Sequence, residues 1–214
     1  MTLLVRAIVR AADAERAAAD GLVPVRADRI AALVSRRAST PTATEEELRA
    51  HDAITRSVHD AAPSLPSRFG DAFVDEDALA AALRAREAKL AAELDRVGER
   101  VELTVTLRWR QQQPPHEPAT PLSGRAFLES RAVRERERQR AEQIVARLVE
   151  HLTCERAFVR SRPCPRDGLA AIVAILSTRD AVAALREDIA SFGERSSEVV
   201  AEIHGPLPPF SFVS

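Results

Sequence analysis

Five histidines, two cysteines and a scatter of serines are the residues of this chain that could ligate a metal or act as nucleophiles. Cys154 and Cys164 stand ten residues apart, and His116 and His151 fall outside any Cys-x-x-Cys or His-x-x-x-His spacing, so the sequence lacks the donor pattern of a zinc site. No Gly-x-Ser-x-Gly turn presents a serine beside an oriented histidine. The seven glycines are isolated, which leaves no loop to cradle a phosphate. No catalytic residue, cofactor or metal is expected.

The residues that stand out carry contact chemistry instead. Ser67-Arg68-Phe69-Gly70-Asp71-Ala72-Phe73, preceded by Pro63 and Pro66, puts a cation, a glycine able to take positive φ and two aromatic rings in one connection between helices. It reads either as a turn whose rings plug the core and whose Arg68 bonds helix-end carbonyls, or as a fixed ligand or partner contact. His51 lies upstream, where a core-facing or capping role is expected. At the other end Pro206, Pro208 and Pro209 are expected to leave the last strand in an extended path that ends in Phe210 and Phe212. A frayed tail would expose two of the seven Phe, so the tail either docks in a hydrophobic groove of its own domain or waits for a partner. Arg131 to Arg140 is dense in arginine, but Glu135 and Glu137 alternate with the cations and no aromatic is interleaved, which describes a solvated helix face rather than a nucleic-acid contact.

These segments must be held by a core, and the chain is large enough for one. It has 214 residues, 45% of them hydrophobic and 29% charged, and 31 Lys and Arg balance 32 Asp and Glu. A net charge of -1 gives neither nucleic acid nor an anionic lipid membrane a field to bind. The opening residues lack the apolar run of an export signal, no stretch approaches the ~20 apolar residues of a membrane span, and cysteine is sparse. A cytoplasmic chain is expected.

Leu3 to Val9 reads as a first strand, and Arg29 to Ser35 as a strand or helix. A helix from Thr44 to about Ala61 starts on three glutamates and is stopped by Pro63. A short strand is possible near Phe73. Asp75 or Asp77 caps the next helix, with Leu79, Leu83, Leu90, Leu94 and Val97 on one stripe and Gly98 as its end. Val101 to Trp109 alternates apolar and polar residues, the period of a half-buried strand. Past the prolines around His116, Ser123 caps a long helix. Strands Arg156–Arg160 and Leu169–Leu176 follow, then a helix from Thr178 ended by Gly193, then a strand from Glu198 to His204. The class expected is α+β, divided into residues 1–110, a Pro-rich linker at 111–122 and residues 123–214. Each part resembles a decorated or incomplete split β-α-β arrangement, αββαβ in the second. No sequence repeat links the two.

Three segments carry a family resemblance. Pro66-Ser67-Arg68-Phe69-Gly70, with His51 upstream, resembles the His…Leu-Pro-x-Arg-Phe-Gly segment of the gas vesicle GvpL/GvpF family. Gly124-Arg125-Ala126-Phe127-Leu128-x-x-Arg131 resembles that family's Gly-x-x-Tyr-Leu-x-x-(Arg or Lys) helix start. Gly205-Pro206-Leu207-Pro208-Pro209-Phe210-Ser211-Phe212 resembles its Gly-Pro-Trp-Pro-Pro-Tyr-Ser-Phe ending. The first strand lacks the family's Tyr-x-Tyr-Gly-Ile pattern, and Phe127, Leu207 and Phe210 replace Tyr, Trp and Tyr, keeping apolar bulk while dropping polar handles. The resemblance implies a ferredoxin-like N-terminal domain and a C-terminal α+β domain. It also implies a non-enzymatic cytoplasmic role in assembling gas vesicles, with the small hydrophobic shell protein and other accessory proteins as partners. Its motif residues are His51, Pro66, Arg68, Phe69, Gly70, Phe73, Gly124, Phe127, Leu128, Arg131, Gly205, Pro206, Pro208, Pro209, Phe210 and Phe212. A ferredoxin-like ligand-binding regulatory module is the alternative that the strand pattern alone allows.

Overall fold

Strand β1 (Thr2–Arg10) is an apolar run with one cation, Arg6, in its interior. In the computed structural model, which describes residues 1–18, 21–111, 124–153, 158–164 and 168–213 with only the backbone for 124–126, this strand is central to a first sheet. A 3-10 turn and short helix α1 (Ala14–Ala17) lead to β2 (Val23–Ala27) and β3 (Ile30–Arg37). Helix α2 (Glu45–Ala61) follows, then β4 (Ser64–Pro66), β5 (Ala72–Phe73) and α3 (Glu76–Val97). Thr44 caps α2 by accepting from the Glu47 amide, and Asp75 caps α3 by accepting from the Ala78 amide. The sheet order is β2-β3-β1-β4, all antiparallel, with β5 also pairing with β1.

The register of β1 against β3 shifts between Val5 and Ala7, so Arg6 sits at a bulge. An extra residue reverses which face each later side chain meets. Leu3 and Val5 therefore join one core with Ile30, Val34 and the α3 stripe Leu79, Leu83, Leu90, Leu94 and Val97. Ala7 and Val9 join a core on the opposite face with Leu33, Val58 and Ala62. Both faces of β1 are covered, which its nearly unbroken apolar sequence permits.

The second sheet is built from β6 (Val101–Trp109), β7 (Val159–Pro163), β8 (Leu169–Ser177) and β9 (Val199–Leu207), in the order β7-β8-β6-β9. Helices α4 (Gly124–His151) and α5 (Val182–Arg195) supply Ile144, Leu148, Leu185 and Ile189 to its core, against Leu103, Val105, Leu107 and Ile175. The Trp109 amide donates to the Gly168 carbonyl at 2.8 Å and the Arg110 amide to the Glu198 carbonyl at 2.9 Å, so the end of β6 meets the starts of β8 and β9 in antiparallel fashion.

The chain divides into two compact units, residues 1–101 with 207–214 and residues 102–206. The first unit ends at the start of β6, which pairs with β8 and β9. With β6 included, the second unit runs β6-α4-β7-β8-α5-β9, and the first runs β1-α1-β2-β3-α2-β4. Each has its strands in the spatial order second, third, first, fourth. Each looks decorated or incomplete in sequence, and in the structure each has four strands and two helices in this order.

Other expectations change locally. Strand β2 carries Pro24 but is an edge strand, where a missing donor costs little. Gly193 does not end α5. It lies inside the helix, where Ala201 packs so closely that an added Cβ would stand 3.2 Å from the alanine Cβ. No side chain caps α5; Thr178 offers only its carbonyl, to the Ala181 amide at 3.2 Å. Strand β9 runs on through Pro206 to Leu207, again at an edge, and Phe210–Phe212 form a 3-10 turn instead of an extended tail. The last eight residues group with the first compact unit.

Candidate functional site

Helix α2 buries an unusual face: His51, Thr55 and His59, one turn apart each, with Val58 beside them. Both rings close hydrogen bonds to the segment that follows the helix. His51 Nε2 donates to the Ser67 carbonyl at 2.9 Å, and His59 Nε2 donates to the Arg100 carbonyl at 3.0 Å. The remaining nitrogens accept, His51 Nδ1 from Arg6 at 2.8 Å and His59 Nδ1 from the Ser64 hydroxyl at 3.1 Å. The donor-only guanidinium fixes the neutral Nε2–H tautomer of His51, because Nδ1 must keep its lone pair.

Arg6 is 1% exposed and also donates through Nε to the Ser35 hydroxyl at 2.9 Å. Burial, and then the charge of Arg37, lowers its pKa from the usual guanidinium value. Glu47 pulls the other way and lies 3.7 Å from Arg37. Burial likewise pushes the His51 imidazole below its ordinary value, with the Ser67 carbonyl opposing and the Arg6 charge reinforcing. The pocket favours one cation and one neutral ring.

Above this pair stands the loop that the sequence singles out. Strand β4 pairs with residues 7–9 of β1 and β5 with residues 3–4, so Ser67–Asp71 leaves and rejoins the same strand. The Ser67 amide bonds the Arg6 carbonyl at 3.0 Å and the Val5 amide bonds the Asp71 carbonyl at 2.9 Å, pinning both ends. Gly70 takes φ +91°, and the Asp71 carboxylate accepts from the Arg68 amide at 3.2 Å. Phe69 is half-buried and meets His51 edge-on, ring centres 5.7 Å apart. Phe73 packs on the α3 core. The Arg68 side chain points into solvent and bonds no helix-end carbonyl, because the loop projects from a sheet edge.

The other motif residues separate into fold and surface. Gly205, at φ +123°, lies so close to β6 that an added Cβ would stand 2.7 Å from the Glu102 carbonyl oxygen, and its own carbonyl accepts from Arg186. Pro206 is exposed; Pro208, Pro209 and Phe212 are buried, and the Phe212 carbonyl accepts from Arg96 of α3. Phe210 remains 38% exposed. On α4, which Gly124 begins, Phe127 is 48% and Leu128 64% exposed, Arg131 is exposed, and Arg134 to Arg140 lie along an exposed face.

The structure thus gathers His51, Pro66, Arg68, Phe69, Gly70 and Phe73 around one sheet edge, and places Gly124, Phe127, Leu128 and Arg131 on one helix start. Sequence reading missed Arg6, Ser35 and His59. A lone cation inside an apolar strand and a His-Thr-His face at helical spacing were the signals available. Among the described residues no three His, Cys, Asp or Glu gather as a metal site, and no helix is long and apolar enough to cross a membrane. His116 and Cys154 lie outside the described residues. A groove between α4 and β7 has an apolar floor of Val145, Ala146, Val149 and Pro163 and a rim that includes Glu142 and Glu150.

Residues 5–214 match the family model described as gas vesicle synthesis protein GvpL/GvpF. No curated protein matches the chain at the sequence level. Among solved structures the chain is similar to the gas vesicle protein GvpF of Anabaena sp., with a TM-score of 0.75 and 14% identity over 99% of this chain and 95% of that one. It is also similar to GvpF of Microcystis aeruginosa, with a TM-score of 0.77 and 13% identity over 99% of this chain and 98% of the other.

Proposed function

Because the chain belongs to the gas vesicle synthesis protein GvpL/GvpF family, we propose that it is an assembly or minor structural component of gas vesicles. In this reading it works in the cytoplasm and at the vesicle, and acts by binding rather than catalysis. Its partners are the small hydrophobic shell protein and other accessory proteins. The fold supports reading both units as ferredoxin-like, each with the strand order second, third, first, fourth around a split β-α-β.

One observation carries the assignment of the contact surface. Among the motif residues His51, Pro66, Pro208, Pro209 and Phe212 are buried, whereas Phe127 and Leu128 stand open side by side with Arg131 at the start of α4. Adjacent exposed apolar side chains on a largely charged helix half gain little from the fold, and they suit an apolar partner that covers them. Phe127→Glu with Leu128→Glu tests this. The double variant should melt as the parent does, since exposed substitutions stay within about 0.5 kcal/mol, yet co-purify less shell protein and support fewer vesicles in a deletion strain. Unchanged capture and unchanged vesicle number would refute the assignment of this surface.

A further inference from the structure

We propose that the hydrogen bond between Arg6 and His51 is a proton-sensitive latch on the Ser67–Asp71 loop, holding it on the sheet edge at neutral pH and releasing it on mild acidification. The inference goes beyond the vesicle role and stands or falls independently of it.

The argument is one of donors and acceptors. His51 Nδ1 accepts from the Arg6 guanidinium at 2.8 Å while Nε2 donates to the Ser67 carbonyl at 2.9 Å, so a single neutral ring ties the interior of β1 to the first residue of the loop. A second proton on His51 turns its only acceptor into a donor, and a guanidinium cannot reverse its role in answer. Two cations would then share a site in which Arg6 is 1% and His51 5% exposed. His59, on the same helix face, is built differently: its Nδ1 meets the Ser64 hydroxyl at 3.1 Å, and a hydroxyl can rotate from donor to acceptor. The donor-against-donor conflict with a fixed guanidinium is therefore particular to His51.

The groups facing this pair are Asp52 of α2 and Asp71 of the loop, which favour a protonated His51, and Arg6 of β1, which opposes it. Arg37 of β3 and Glu47 of α2 face Arg6 with opposite signs. Burial outweighs them at His51 and holds its folded pKa below the ordinary 6.5. A depressed folded value means the latch is complete above the ordinary histidine range and is lost as pH falls from there toward the depressed value. Opening the latch exposes the ring and takes up one proton. Across that window the opening constant should therefore rise about tenfold per pH unit.

Amide hydrogen exchange of the full chain at about pH 7.5 and about pH 5.5, corrected for intrinsic rates, tests the latch. Protection across residues 67–71 should fall by up to about tenfold at the lower pH, with α3 unchanged. The loss should vanish in His51→Gln, whose amide can accept from Arg6 and donate to Ser67 without titrating, and persist in His59→Gln. Equal protection at both pH values, or a pH-dependent loss that survives His51→Gln, overturns the proposal. Should His51→Gln fail to fold, histidine ring NMR of the parent chain decides, because the titration of His51 must share its midpoint with the loss of loop protection; separate midpoints overturn it.

Discussion

A Cβ on Gly205 would lie 2.7 Å from the Glu102 carbonyl oxygen and 3.1 Å from the Leu103 side chain, so the end of β9 fits against the start of β6 only because this residue has none. The same residue holds φ +123°, a region that L side chains rarely adopt.

Gly205→Ala should therefore destabilise the second unit by about 1–3 kcal/mol from backbone strain, with the contact adding to it. Chemical denaturation read through Trp109, which packs on that unit's core, measures the loss. A stability equal to the parent's would show that the strand end can shift to make room.

Phe212 and Phe210, two residues apart, should behave differently. Phe212 is fully buried and Phe210 is 38% exposed. Phe212→Ala should cost about 3–5 kcal/mol and loosen α3, whose Arg96 bonds the Phe212 carbonyl. Phe210→Ala should change stability by less than about 0.5 kcal/mol. Hydrogen exchange in α3 against α5 separates the units: loosening confined to α5 would contradict the assignment of the tail to the first unit.

A double-mutant cycle on Arg6 and His51 should show strong coupling. Replacing His51 with Phe leaves a buried cation short of an acceptor and should cost about 3–5 kcal/mol. Adding Arg6→Leu should recover part of that loss, with an interaction energy in the range of about 0.5–3 kcal/mol. Additive losses would mean the two side chains do not support one another.

Glu198 holds Arg147 at 2.5 Å and Arg140 at 2.7 Å, and those hydrogen bonds, Arg147 first, lower its pKa below the usual glutamate value. Arg140 also lies over the Trp109 ring, 4.7 Å from its centre. A depressed carboxylate value stabilises the fold above the ordinary glutamate range, and the contribution is lost as pH falls through the folded value. Glu198→Gln should therefore lower stability at neutral pH by about 1 kcal/mol and match the parent in acid. A deficit of equal size at both ends of the pH range would assign the effect to packing rather than charge.

Much of the architecture was legible in the chain. The long helices announce themselves through their caps and stripes: three glutamates after Thr44, and leucines from Leu79 to Leu94 closed by Gly98. The alternation from Val101 to Leu107 fixes a strand, and Leu169–Leu176 reads as interior because both faces are apolar. Helical and strand periods, and the phase of the apolar residues within them, are local properties. The motif residues, too, were visible as types before any contact was known.

Partnership was not visible, because hydrogen bonds between strands and buried charges join residues far apart in sequence. Nothing near Val101–Trp109 says that it pairs with β8 and β9 rather than with the strands before it, so residues 123–214 read alone lack the strand that β6 supplies. The bulge at Arg6 is likewise a tertiary event. It moves Ala7 and Val9 to the face opposite Leu3 and Val5, and it accompanies the burial of a guanidinium beside a histidine forty-five residues away. Local pattern sets the kinds of element and the residues available for contact. Which of them are spent inside, as His51 and Phe212 are, and which stay open, as Arg68, Phe127 and Leu128 do, depends on packing between residues far apart in the chain.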